Sequence, residues 1–280
     1  MKRLIVNADD FGLNDSATDG ISECFLQGTV TSTTLMVNAP AAVRAAQFAV
    51  DHPQLGVGLH FNLTWGRPLS SQYDVPALVD ADGQFYGRSE LAKRLLLGKV
   101  PRAQVETELR SQLNRLRALG IQPTHIDSHQ HVHAFPGVFA VVAACCARDG
   151  TPMRAPWVAP EVRPPLLRRL RRLALKALIW RATRAWRGKV AWNDGLGSVF
   201  DVQDMGLPLG DAHYERILSG AHGNAFELMV HPVTDASAMA GFTSIGPVSE
   251  AEWRYLRTGQ LTRLAEEMGF VMSTYRDLTR

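Results

Sequence analysis

Along the chain, short apolar or β-branched runs alternate with longer stretches in which apolar residues recur every three or four positions. The runs are Arg3–Ala8, Val30–Val37, Leu55–Asn62, Pro123–Asp127, Pro152–Ala155, Ala225–Val230 and Phe270–Thr274, each the length of a strand. Helical periodicity is clearest at Pro101–Leu119. There Val105, Leu109, Leu113 and Leu116 form one stripe, Pro101 stands near the start and Gly120 follows the end. A second helical pattern covers Glu250–Met268, with Ser249 and Glu252 at capping-box spacing and Trp253, Leu256, Leu264 and Met268 as its buried face. Strand-length runs alternating with helices predict an α/β chain, a parallel sheet covered by helices. Three stretches break the rhythm: Gly66–Arg88 and Pro232–Pro247 read as long loops, and Arg163–Lys189 as a basic insertion. No linker divides the chain, so residues 1–280 are expected to form a single domain, with the insertion at about 162–193.

Composition adds limits. With 280 residues, 46% hydrophobic and 20% charged, the chain can bury a large core and has no disordered character. Met1-Lys2-Arg3 runs into only three apolar residues before Asn7, too few for a secretory segment or a membrane span, so a cytoplasmic location is expected. Cys24, Cys145 and Cys146 support neither a disulfide framework nor a thiolate metal knuckle. The net charge of +3 is unevenly spread. Val162 to Asn193 holds ten Lys/Arg and no Asp/Glu, which leaves 20 cationic against 27 anionic side chains, or −7, elsewhere. That asymmetry suits a local anionic partner and argues against nucleic acid.

The polar residues fall at the ends of the runs. Asp9 and Asp10 follow the first, His60 ends the third, and His125, Asp127, His129, His131 and His133 crowd the fourth. Arg154 ends the fifth and His231 the sixth. In a parallel β/α fold all strand C-termini share one face, so these sites converge there. Each has a plainer use: an Asp pair caps helices or turns, and a single His often only satisfies a core hydrogen bond. Four histidines within Thr124–His133 are harder to explain by packing, and spacing by two would set successive ones on the same face of an extended chain. One Asp with two His, and no thiolate, leaves open positions as catalytic zinc requires. A neighbouring carboxylate can then act as general base and His231 as general acid, which describes metal-assisted amide or ester hydrolysis. No Gly-x-Ser-x-Gly, Walker A or GxGxxG sequence occurs.

Asn7-Ala8-Asp9-Asp10-Phe11-Gly12, Val30-Thr31-Ser32-Thr33-Thr34, Gly58-Leu59-His60-Phe61-Asn62-Leu63-Thr64 and Thr124 through His133 together resemble the signatures of the YdjC-like carbohydrate deacetylases. That family includes chitooligosaccharide deacetylases and hopanoid-biosynthesis-associated deacetylases. The resemblance is close over the first 150 residues, weakens, and returns at Met229-Val230-His231-Pro232. It implies a distorted TIM-like β/α barrel and one divalent metal ion, zinc or magnesium. It also implies removal of the acetyl group from an N-acetylglucosamine-type unit. By position, Asp10, His60 and His129 are implied as metal ligands, Asp9 as base and His231 as acid. Arg154, in Arg154-Ala155-Pro156-Trp157, is implied to orient the base. The roles of Asp9 and Asp10 are interchangeable at this level, and His125 or His131 are alternatives to His129.

The basic insertion departs from the shorter chitooligosaccharide type. Leu166, Leu170, Leu173, Ala174 and Ala177 share a helical face opposite Arg168, Arg169, Arg171, Arg172 and Lys176, with Ile179, Trp180 and Trp186 following. Such a helix suits either an anionic membrane surface, peripheral at the inner face, or simple packing on the barrel. Contact with lipid through Arg163–Lys189 would favour a glycolipid substrate, such as a glycosylated hopanoid, over a soluble oligosaccharide. Two further functions compete: a noncatalytic carbohydrate- or lipid-surface-binding protein on the same barrel, and a metal-dependent phosphoesterase.

Overall fold

The computed structural model describes residues 2–156, 173, 177 and 179–278. Its strands are β1 (Lys2–Phe11), β2 (Ser32–Leu35), β3 (Gly56–Phe61), β4 (Ile126–Ser128), β5 (Gly195–Gly197), β6 (Ala225–Val230) and β7 (Phe270–Ser273). All pairings between them are parallel, in the order β4-β3-β2-β1-β6-β5. The long central strand β1 has β6 along one edge. Its other edge is shared, with β7 beside Lys2–Ile5 and β2 beside the C-terminal half. Met153 bridges in parallel to Ile126 of β4 and to Trp192, just before β5. These single-residue bridges join the two sheet edges, so the sheet curls round into the expected distorted barrel.

Alternation along the strands sorts the side chains. Leu4, Val6 and Ala8, Val57, Leu59 and Phe61, and Phe226, Leu228 and Val230 join the apolar core beneath the helices. Burying a large apolar side chain completely, as for Leu4, Leu59 and Leu228 at 0% exposure, contributes about 1.5–3 kcal/mol. The intervening positions, Asn7, Asp9, His60 and Glu227, face the other way and build a polar barrel interior in which all four are buried.

Most expected elements appear close to their expected bounds, with four differences. The Pro152–Ala155 run contributes the single bridge residue Met153 rather than a strand. The β5 strand, Gly-Leu-Gly, carries no β-branched signal. Its glycines are required by packing, since a Cβ on Gly195 would lie 2.9 Å from His222 and Phe226, and one on Gly197 2.7 Å from Ile217. The pattern at Glu250–Met268 is two helices, Gly246–Leu256 and Gln260–Glu267, separated by Gly259 with φ 72°. Ser249 is therefore inside a helix rather than its cap, and both Ser249 and Glu252 are buried. Finally, the alternation expected through the histidine cluster ends at Ser128. His129–Ala134 is a 3₁₀ segment in which Gln130 and His131 adopt left-handed backbone, φ 53° and 55°. The basic insertion lies mostly outside the described residues. Of those described, Leu173 and Trp180 are exposed, and Trp186 packs against the main core.

Candidate active site

Asp9 and Asp10 both lie in β1, where regular pleating would turn them to opposite faces. The β1–β2 register shifts between Ala8 and Phe11, and Asp10 adopts φ 67°. This bulge-like irregularity turns both carboxylates into the mouth of the barrel. Aspartate tolerates the left-handed region better than most residues, at a cost of about 1–2 kcal/mol, and such strain is typical of functional sites.

Asp10 Oδ1 is approached by His60 Nε2 at 3.0 Å and His129 Nδ1 at 2.8 Å. All three residues are buried, and one donor atom from each lies within 4.8 Å of the others. The opposite edge of His60 is fixed by Asp127, whose Oδ1 accepts from Nδ1 at 2.7 Å, while Thr34 donates to Asp127 Oδ2 at 3.0 Å. With Nδ1–H committed, the Nε2 lone pair of a neutral His60 would face a carboxylate oxygen. That contact is relieved by a proton or by a cation lying between them. Burial opposes charge on this ring, yet Asp127 and Asp10 outweigh it and hold the imidazole's proton affinity well above its ordinary value. The spot thus favours positive charge. Two imidazoles, one carboxylate and a carboxylate that orients a ligand histidine fit a divalent cation such as zinc.

Asp9 sits in a different set of contacts. Arg154 clamps it with two bonds, Nη1 to Oδ2 at 2.7 Å and Nη2 to Oδ1 at 2.6 Å, and Asn7 donates to Oδ1 at 2.9 Å. Burial alone would raise this carboxyl, but the guanidinium holds it well below the usual carboxylate range. His231 Nε2 lies 3.9 Å from Asp9 Oδ2 on the same rim. Burial pushes the His231 imidazole below its ordinary value against the pull of Asp9.

The six residues singled out from sequence therefore come together, with Asp10 grouped with the two histidines and Asp9 with Arg154 and His231. The alternatives do not join the cation group. His125 uses Nε2 on Asn7 Oδ1 at 3.0 Å and Nδ1 on Thr124 at 2.9 Å, and stacks on Tyr275 at 3.8 Å. Among the described residues the donor atoms of Asp9, His60 and Asp127 also converge within 4.8 Å, and His131 belongs to neither this group nor that of Asp10, His60 and His129.

Three participants carried no role in the site in the sequence reading. Asp127 stood inside the histidine cluster. Glu227 was visible as a charge in an otherwise apolar strand, which signals a buried partner. Glu252 resembled a helix-capping residue, but its Oε2 accepts from the backbone N–H of His231 at 2.8 Å and so fixes the turn after β6.

Burial pushes the Glu252 carboxyl up from 4.5 to about 8, against that one hydrogen bond. A carboxyl raised on folding binds its proton more tightly in the native state, so the contribution of Glu252 to stability is fully present below about pH 4.5 and is lost as pH rises toward 8. Glu252→Gln keeps the acceptor and removes the ionisation. Chemical unfolding between pH 5 and 8 should show the wild type losing stability relative to this variant, on the order of a few kcal/mol. Parallel pH profiles for the two proteins would refute the assignment.

The family model described as YdjC-like protein matches residues 3–267. A carbohydrate deacetylase from Geobacillus stearothermophilus is 50% identical over 161 residues, covering 58% of this chain and 62% of that protein. This match spans somewhat less than two thirds of the relative's length. A chitooligosaccharide deacetylase from Proteus mirabilis is 33% identical over 281 residues, 98% of each chain. A crystal structure from Enterococcus faecalis, described as a cellobiose-phosphate cleavage protein, covers 100% of this chain and 99% of its own at a TM-score of 0.80 and 24% identity, and so shares the fold. Since the match runs from β1 through the helix that precedes β7, the chain belongs to the YdjC-like family.

Proposed function

We propose that the protein is a metal-dependent carbohydrate deacetylase that hydrolyses the acetamide of an N-acetylglucosamine-type unit. The observation that carries this reading is the buried Asp10–His60–His129 group with the Arg154-clamped Asp9 and His231 on its rim. Asp10, His60 and His129 would hold the cation, and two imidazoles suit zinc better than magnesium. Such an ion supplies Lewis acidity toward the amide carbonyl and toward water. Asp9, kept ionised by Arg154, takes a proton from the attacking water. His231, across the rim, gives a proton to the departing amine nitrogen. The names of the Geobacillus and Proteus relatives support the carbohydrate substrate.

Trp65, after β3, and Phe242, after β6, pack together at 5.0 Å between ring centroids, both half-buried at the strand C-terminal end. An aromatic face there suits a sugar ring. Trp65→Ala should raise KM about tenfold with kcat nearly unchanged, read from acetate release across substrate concentrations. A selective fall in kcat would instead place Trp65 in the chemistry.

An apolar cavity of about 340 Å³ opens between Val199, Phe200, Leu207, Leu209 and Ile245. Phe200 also meets the His231 ring edge at 5.8 Å. It supports a leaving group that carries an apolar moiety, and hence a glycolipid substrate. The membrane-surface reading of Arg163–Lys189 falls largely outside the described residues, and no described helix is long and apolar enough to cross a membrane. A phosphoesterase would call for cationic groups free to meet a phosphate. The Arg154 guanidinium is instead occupied by carboxylates. The noncatalytic reading would expect a lost ligand or base, and none is missing.

The deciding experiment incubates the zinc-loaded protein with N-acetylated chitooligosaccharides, an N-acetylglucosaminyl glycolipid and a phosphomonoester. Acetate release from an N-acetylated substrate is expected. Phosphate release alone, or no turnover of any of the three, would overturn the reading.

A further inference from the structure

Arg154 is completely buried, and its guanidinium makes four hydrogen bonds to carboxylates and a further close ion pair. Nη1 donates to Asp9 Oδ2 at 2.7 Å and reaches Asp127 Oδ2 at 2.8 Å. Nη2 donates to Asp9 Oδ1 and to Glu227 Oε1, both at 2.6 Å, and Nε donates to Glu227 Oε1 at 2.9 Å. One guanidinium thus joins the Asp9 carboxylate to Asp127, the carboxylate that orients His60. Nothing in the chemistry proposed above calls for Glu227, which sits deeper in the barrel in the middle of β6.

Glu227 is itself held. Its Oε2 accepts from the Tyr275 hydroxyl, and Tyr275 closes the C-terminal end of β7. The Tyr275 ring stacks on His125 at an interplanar angle of 6°, His125 bonds Asn7, and Asn7 donates to Asp9. The contacts therefore form a closed circuit, Asp9–Arg154–Glu227–Tyr275–His125–Asn7–Asp9. Every one of its members is buried. Gly58 makes room for it, because a Cβ there would lie 2.7 Å from the His125 ring.

We propose that Glu227 and Tyr275 are positioning residues that fix the rotation of the Arg154 guanidinium and, through it, the orientation of the Asp9 carboxylate. The inference rests on the reading of Asp9 as general base. A guanidinium held only at its Nη end can swing about the Cδ–Nε bond. Glu227 bonds Nε and Nη2 together and removes that freedom, leaving the Nη1/Nη2 edge aimed at Asp9. Tyr275 in turn stops the Glu227 carboxylate from rotating. Small displacements of a general base are costly, because catalysis depends on the geometry of the bound reactants. The guanidinium meets the neighbouring cation group through Asp127, which bonds His60.

The test compares Glu227→Gln, Tyr275→Phe, Arg154→Lys and the double variant Arg154→Lys/Glu227→Gln, with Asp9→Asn as control, all zinc-loaded. Acetate release from an N-acetylated chitooligosaccharide gives kcat and KM, elemental analysis gives bound zinc, and thermal unfolding reports folding. Glu227→Gln and Tyr275→Phe should each lower kcat about tenfold, with KM within about twofold and zinc stoichiometric. In the double variant Glu227→Gln should add no further loss to that of Arg154→Lys, since both act on one guanidinium. A merely structural role would lower stability without a selective loss of kcat, or would multiply with Arg154→Lys, and either result overturns the proposal. If Glu227→Gln does not fold, Tyr275→Phe decides alone: unchanged kcat overturns the proposal. An active Asp9→Asn would remove the base assignment and this inference with it. An inactive Asp9→Asn beside an unimpaired Glu227→Gln would remove this inference only.

Discussion

Asp9→Asn is expected to lower turnover by about 10²–10⁴ while the protein still binds one zinc ion. The side chain keeps its shape and loses the capacity to take a proton. The hydrogen bonds of Asp9 run to Arg154 and Asn7. Asp10→Asn should do the reverse. Asp10 Oδ1 is the atom on which His60 Nε2 and His129 Nδ1 converge, so replacing the carboxylate by a neutral amide removes the anionic member of the ligand set. Zinc retention by equilibrium dialysis separates the two: bound metal with little activity for Asp9→Asn, and weakened metal binding for Asp10→Asn. If Asp9→Asn loses the metal and Asp10→Asn keeps it, base and ligand are exchanged.

The second large effect concerns folding. Arg154→Ala leaves Asp9, Asp127 and Glu227 buried around the site of a missing cation. Breaking a buried ion pair from one side costs about 3–5 kcal/mol, because the remaining charge is uncompensated. Urea unfolding at pH 7 should show a destabilisation of that order. The sign of its pH dependence follows from linkage. Without Arg154, burial makes the native state hold protons on Asp9 and Glu227 more tightly than the unfolded chain does, so the variant should recover stability as pH falls from 7 toward 5. Arg154→Lys should be milder, since it restores the charge but only three of the five donors. A loss for Arg154→Ala under 1 kcal/mol, flat with pH, would mean that Arg154 does not compensate buried charge at this site.

Much of the site was legible because parallel strands end on one face. That topological fact alone brings together Asp9, Asp10, His60, His129, Arg154 and His231 from five runs spread over the chain. The clustering of four histidines behind one strand likewise announced a site. What alternation could not supply was the partition of roles. By pleating, Asp9 and Asp10 belong on opposite faces, and His125, Asp127, His129, His131 and His133 on a shared one. The irregularity in β1 and the left-handed pair Gln130–His131 override both expectations.

The amino-acid sequence by itself determined the β/α rhythm, the parallel sheet and the end of it at which the candidate site residues gather, because strand and helix periods are local properties of the chain. Tertiary structure alone decided that Asp10 joins the histidines while Asp9 pairs with Arg154. It also decided that His125 is spent on Asn7 and Tyr275, and that Glu252 supports His231 instead of capping a helix. Those outcomes depend on two backbone departures of a few residues and on contacts between groups as far apart as Asn7 and His125, or Glu227 and Tyr275. A local pattern fixes which face a side chain starts from. Which partner it reaches depends on where distant strands bring their own charges, and those charges carry no periodic signal.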